Sequence, residues 1–256
     1  MLLLEVIGLT KFFEGLAALT NVDMHVDKGE ILGLIGPNGA GKTTAFNLIS
    51  GSLKPTSGKI IYNEKDIVGL SPSAIAKRGI SRTFQDSSVI YHDFTVLQSV
   101  FLAHYLQLRS SPWGAFLGTP LSRREDRDVA MKAMAILDFL GLTSEKDTVV
   151  KNLAHGQQRT LGVAMALATN PQLLLLDEPL TGMNPQEANI MVDHIRSIRD
   201  TRGISIVIIE HRMRAVMNLC DRIVVLNYGK KIADGVPKEV RENQQVIEAY
   251  LGPAEE

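Results

Sequence analysis

The segment that most limits what this chain can fold into is "EILGLIGPNGAGKTT", Glu30 to Thr44. It opens with a short, continuous apolar run, the pattern of a strand buried on both faces. A glycine-rich loop follows, and then residues that begin a helix. The loop, Gly36 to Thr44, matches G-x-x-x-x-G-K-[ST] in full and stands between a buried strand and a helix start, as its chemistry requires. Its glycines let backbone N–H groups turn inward around phosphate oxygens, and the helix N-terminus adds partial positive charge. The expected phosphate contacts are Gly36, Pro37, Asn38, Gly39, Ala40, Gly41, Lys42, Thr43 and Thr44. Lys42 would reach the β- and γ-phosphates, and the Thr43 hydroxyl would hold Mg²⁺. The bland alternative, a Gly-rich strand-to-helix turn with no ligand, is set aside because motif and context are both correct.

A second apolar run, "LLLLDE", ends in Asp177 and Glu178. At the carboxyl edge of a parallel sheet, where ligands bind in such folds, two carboxylates have a use. Asp177 can hold Mg²⁺ through water, and Glu178 is placed to orient and deprotonate an attacking water. Without the phosphate loop, the pair would read as solvated carboxylates at a strand end. Together the two motifs indicate a P-loop NTPase. A GTPase would need Asn-Lys-x-Asp after a strand. "NEKD", Asn63 to Asp66, has the wrong order.

The rest of the chain sorts into elements by periodicity. "NVDMHVDKGE" alternates Val22, Met24 and Val26 against polar neighbours, a half-buried strand. "SPSAIAKRG" carries a helix start at Ser71-Pro72 and a stop at Gly79. "TVLQSVFLAHYLQL" is apolar at helical spacing, and "SRRE" reads as a capping box, Ser122 with Glu125, for a helix running to Leu140. Beyond "LLLLDE", helices open at Asn184-Pro185 and at Arg212, alternating with the strands "ISIVIIE" and "RIVVLN". One amphipathic helix is expected from about Lys238 to Leu251. Strands alternating with helices imply a largely parallel sheet.

Bulk properties exclude other classes. A chain of 256 residues with a net charge of −1 has no electrostatic footprint for nucleic acid. No apolar run approaches the ~20 residues that span a bilayer. "MLLLEVIGL" has no basic region before its leucines and is a poor signal peptide. A cytoplasmic location is the default reading, and the single cysteine, Cys220, reads as a small core hydrophobe.

Three further features narrow the class. Gln85 follows the strand "ISRTF", "NLAHGQQR" precedes "LLLLDE", and His211 follows "ISIVIIE". In this order they resemble the Q-loop, signature, Walker B and H-loop of ATP-binding cassette (ABC) ATPases, and the resemblance covers nearly the whole chain. "GLIGPNGAGKTT", "SRTFQ", "LLLLDEPLTGMNP", the loop at Trp113-Gly114 and the ending "VIEAYLG" look like the LivG type within that family, the ATP-binding subunits of branched-chain amino acid importers.

The resemblance implies an α/β fold: a RecA-like core with an N-terminal antiparallel β region and an inserted helical subdomain. On this reading the core spans residues 1–90 and 160–235, the helical subdomain 91–159, and a C-terminal helix 236–256. It implies an ATPase that works as a head-to-tail dimer, with itself or with a LivF-like subunit, on two membrane permease subunits served by a periplasmic binding protein. The chain would sit peripherally on the cytoplasmic face of the membrane, with hydrophobic amino acids, urea, short amides or aromatic acids as cargo. Phe13, with Phe12 as the near alternative, would stack on adenine. Gln85 would sense γ-phosphate and Mg²⁺, His211 would steady Glu178 and the attacking water, and "LTGMNP" would touch the facing subunit. Ala154, His155, Gly156 and Gln157 would meet the ATP of that subunit in trans.

The common signature in the family is Leu-Ser-Gly-Gly-Gln, and here Ala154 replaces the Ser and His155 the first Gly. Ala154 offers no hydroxyl to phosphate. Two readings of His155 stay open: a compensating donor to the ATP, or a side chain that only packs against the partner. Two other functions are weighed as well. A soluble ABC protein of ribosomes or DNA would carry paired cassettes or a basic bias, which this chain lacks. A regulatory module without turnover would not need both Glu178 and His211.

Overall fold

The apolar run before the phosphate loop forms β3 (Ile31–Ile35), buried at every residue. The computed structural model describes residues 1–83, 92–105 and 120–251. Five further strands join β3: β6 (Ile80–Arg82), β7 (Leu173–Asp177), β8 (Ser205–Ile209), β9 (Arg222–Asn227) and β10 (Lys230–Gly235). Their order is β10-β9-β3-β8-β7-β6. All pairs are parallel except the edge hairpin β9–β10. β7 and β8 run in register from Leu173↔Ser205 to Asp177↔Ile209, so the two strands end side by side.

A second sheet holds β1 (Leu2–Phe13), β2 (Leu16–Asp27), β4 (Ser57–Tyr62) and β5 (Lys65–Asp66) in the order β2-β1-β4-β5, antiparallel throughout. Val22, Met24 and Val26 are buried, as their alternation predicts. The first helix, α1 (Lys42–Ile49), places Phe46 and Ile49 in one apolar cluster with Leu32 and Leu34 of β3 and Leu4 and Leu9 of β1. This is the α/β core with an antiparallel β region. Each fully buried side chain of this size contributes about 1.5–3 kcal/mol. Cys220 belongs to this interior, and burial pushes its thiol up to about 12.

Contacts divide the chain into two units. One comprises Met1–Arg82, Gln172–Glu178 and Ile195–Glu256, the other Thr83–Pro171 and Pro179–His194. In the first, α2 (Pro72–Lys77) is capped by Ser71, whose side chain accepts from Ala74 N–H. In the second, α3 (Val96–Tyr105), α4 (Pro120–Phe139) and α5 (His155–Ala168) pack on one another. The boundary expected at residue 160 falls inside α5. Because α5 packs along α3 and α4, the whole helix stays in the second unit.

Two helix boundaries differ from expectation. α4 starts at Pro120, so Ser122 lies inside it and is not the cap. Proline's fixed φ suits the first helical turn, and it wins over the capping-box pattern. The C-terminal helix is two: α8 (Pro237–Glu242) and α9 (Gln244–Leu251). Asn243 breaks them with an extended backbone and turns its Oδ1 to the amides of Gln245 and Val246, where it caps α9. Two further helices, α6 (Pro185–Arg202) and α7 (Met213–Leu219), open where Asn184-Pro185 and Arg212 predict.

Candidate nucleotide site

The phosphate loop leaves β3 through three left-handed glycines: Gly36 (φ 150°), Gly39 (φ 80°) and Gly41 (φ 103°). Two of them are also required by packing. A Cβ on Gly36 would overlap the Leu226 carbonyl oxygen of β9, and one on Gly41 would lie 2.6 Å from the Ala18 oxygen of β2. Around Gly39 there is open space. The loop encloses a cavity of about 210 Å³ lined by Ala18, residues 38–44, Glu178 and His211. Gly41 caps α1 without a side chain, so the amides of its first turn remain available to an anion. Lys42 is 6% exposed and donates to the carbonyls of Gly36 (2.7 Å) and Pro37 (2.9 Å). Burial holds its pKa below the ordinary lysine value, an effect partly offset by the charges of Glu178 and Asp177.

Glu178 sits one residue past β7 with φ 49°, a left-handed conformation that costs a non-glycine residue about 1–3 kcal/mol. Its N–H donates to the Ile209 carbonyl at 2.9 Å, which fixes the turn against β8. The carboxylate Oε1 lies 2.9 Å from His211 Nε2, and both side chains line the phosphate cavity. His211 is anchored through its backbone N–H, which donates to Glu210 Oε2 at 3.1 Å. Asp177 is buried, and its Oδ2 accepts from Arg82 Nη2 at 2.8 Å.

The start of α5 is built differently. Ala154, its N-cap, makes no side-chain cap, and Gln157 Oε1 accepts from the Ala154 N–H at 3.0 Å. A Cβ on Gly156 would crowd the Glu187 carboxylate at 3.2–3.4 Å. That carboxylate accepts from Asn184 N–H at 2.9 Å, while Asn184 Oδ1 accepts from the amides of Gln186 and Glu187, a reciprocal cap for α6. The ring of His155 lies over Gly182 of "LTGMNP". Gly182 has φ 80°, and a Cβ there would run into the imidazole. His155 therefore packs against Gly182 of its own chain.

Phe12 and Phe13 are 44% and 42% exposed, and the Lys11 ammonium stands 5.0 Å over the Phe13 ring. Neither ring lines the phosphate cavity. Gln85 and the Trp113-Gly114 loop lie outside the described residues. Three neighbours of the expected site were not singled out from sequence: Ala18, Arg82 and Tyr250, whose hydroxyl is pushed up to about 12 by burial, with the Gly36 backbone opposing the shift. Arg82 left a trace, being a charged residue within the otherwise strand-like "ISRTF". The other two left none, since nothing local marks an alanine in a strand or a tyrosine in a terminal helix.

Residues 19–181 match the family model described as ABC transporter, and residues 230–252 the one described as branched-chain amino acid ATP-binding cassette transporter. The chain belongs to the ABC transporter ATP-binding cassette family. Over 252 residues it is 41% identical to the high-affinity branched-chain amino acid transport ATP-binding protein LivG of Salmonella typhimurium, covering 98% of each chain. The crystal structure of a nucleotide-free ATP-binding cassette from an ABC transporter superposes with a TM-score of 0.86 at 33% identity, covering 99% of this chain and 100% of that one. A cassette in its ADP conformation gives 0.85 at 33% identity, with the same coverage. The cassette is thus a nucleotide-binding ATPase of the transporter type. Among its described residues no helix is long and apolar enough to cross a membrane.

Proposed function

We propose that this cassette is the ATP-hydrolysing, energy-coupling subunit of an importer for branched-chain amino acids. The observation that carries the reading is Glu178 held 2.9 Å from His211 at the mouth of the phosphate loop. Its left-handed backbone supports a catalytic role, because such strain persists where surrounding structure over-determines it. Glu178 acts as general base toward the attacking water, and the His211 Nε2–H holds that carboxylate in place. Lys42, released from its two carbonyls, pairs with the β- and γ-phosphates, and the loop amides cradle them. Phe13, with Phe12 as the near alternative, offers a ring face to adenine.

Among the described residues no cluster of three or more His, Cys, Asp or Glu could hold a metal by itself. A cation shared with nucleotide phosphates fits this donor set, since Mg²⁺ keeps its waters and takes one or two carboxylates alongside phosphate. Thr43 and Asp177 would hold it, with Gln85 as sensor, and it would neutralise charge on the phosphates. The uncapped start of α5, from Ala154 to Gln157, serves the ATP of a second cassette, itself or a LivF-like subunit, in a head-to-tail dimer. Two membrane permease subunits and an external binding protein complete the importer, with the cassette peripheral on the cytoplasmic face.

Reconstitution with the permease and binding-protein partners tests this reading. Leucine-loaded binding protein is expected to stimulate phosphate release, and Glu178→Gln to abolish both release and uptake. Stimulation by urea or an aromatic acid but not by leucine would overturn the assigned cargo. Undiminished turnover in Glu178→Gln would overturn the assigned base.

A further inference from the structure

Arginine in a buried strand is costly unless its charge is paired and hydrogen-bonded. Arg82 closes β6, opposite Leu175 in the register of β7, with its side chain 10% exposed. Its guanidinium is shared between two elements, β7 and α1. Nη2 donates to Asp177 Oδ2 at 2.8 Å, at the end of β7. Nη1 donates to Asn47 Oδ1 at 2.6 Å and reaches Ser50 Oγ at 3.5 Å, both belonging to α1 and its cap. The guanidinium carbon stands 5.5 Å from the centroid of Phe46, also on α1. One planar group therefore ties the helix that begins at Lys42 to the carboxylate at the end of β7.

A buried ion pair is weak evidence for stability, because desolvation cancels most of its attraction. What the fork supplies is direction: two fixed donor vectors that a lysine's single ammonium cannot reproduce. Partners that orient a metal-holding side chain matter to affinity, and their loss typically costs about 10–100-fold.

We propose that Arg82 is a positioning residue of the nucleotide site: it fixes the orientation of Asp177 relative to the phosphate-loop helix through Asn47, and so sets the site's affinity for the divalent cation that accompanies the nucleotide. This rests on the reading of Asp177 given above.

The test uses Mn²⁺ as the probe, followed by electron paramagnetic resonance in the presence of saturating ADP, with ADP binding in EDTA measured alongside. The wild-type chain is expected to bind Mn²⁺ more tightly than free ADP does. Arg82→Ala and Arg82→Lys should weaken Mn²⁺ binding on the order of tenfold, the lower end for outer-sphere partners of metal sites, and Asn47→Ala by less. ADP affinity in EDTA should stay at the wild-type value in Arg82→Lys and Asn47→Ala. Wild-type Mn²⁺ affinity in Arg82→Lys would overturn the inference alone, because charge without the fork would then suffice. If Arg82→Ala does not fold, the lysine and Asn47→Ala variants still decide. Absence of protein-dependent Mn²⁺ binding in the wild-type chain would overturn the Asp177 reading, and this inference with it.

Discussion

Helices α1 and α5 both begin without a capping side chain, but the surroundings of their free amides differ. At α1 the chain itself builds the ligand cavity. β2, the loop, β7 and β8 contribute Ala18, residues 38–44, Glu178 and His211, all within one unit. At α5 the chain builds only the support. His155 lies over Gly182, and Glu187 backs Gly156. By contrast, α2, α6 and α9 cap themselves with Ser71, Asn184 and Asn243. Helices α7 and α8 also start without a side-chain cap, so a missing cap alone marks no site. What sets α1 and α5 apart is what surrounds them: at α1 a cavity, at α5 a support only.

That division can be broken, most forcefully at the phosphate loop. Gly36→Ala places a methyl group into the Leu226 carbonyl and forces the loop away from β9. A loss of more than about 3 kcal/mol is expected, read as a large drop in the unfolding midpoint, together with loss of nucleotide binding by the single chain. Glu178→Gln keeps shape and nucleotide binding while removing the base. Turnover should fall about 10²–10⁴-fold with ADP affinity unchanged, as measured by phosphate release and calorimetry.

Changes at α5 should separate the regions. Gly182→Ala collides with the His155 ring and strains a left-handed backbone, at a cost of about 1–3 kcal/mol. Nucleotide binding by the isolated chain should survive, whereas ATPase of the assembled transporter should drop. Equal loss in both assays would mean that α5 and the loop are not separable. The smallest effect is expected from His155→Tyr compared with His155→Ala. If the ring only packs on Gly182, tyrosine keeps transporter turnover within a few-fold of wild type, and alanine costs about 1 kcal/mol of stability. A tenfold fall in turnover for both, with stability kept, would restore contact with the ATP in trans.

Legibility followed sequence distance. The loop from Gly36 to Thr44 is a local pattern, and the run ending at Asp177-Glu178 is another, so both could be read from the chain. Strand alternation exposed the buried face of β2, and the Asn184-Pro185 and Ser71-Pro72 starts were local chemistry. Arg82 could not be assigned, because its partners Asp177 and Asn47 lie 95 and 35 residues away. The His155–Gly182 contact joins two motifs that were each recognised but whose packing leaves no mark in either. The break at Asn243 was hidden because the apolar period continues across it, and only the asparagine's cap sets the interruption.

The strand order has a consequence for how the protein is made. β8 lies between β3 and β7 yet follows both in the chain. The phosphate loop is synthesised early and Glu178 much later, but the two cannot reach their mutual spacing until Ser205–Ile209 slides in as the dividing strand, and His211 emerges directly behind it. Until that strand is in place, Glu178 and His211 do not meet beside the loop.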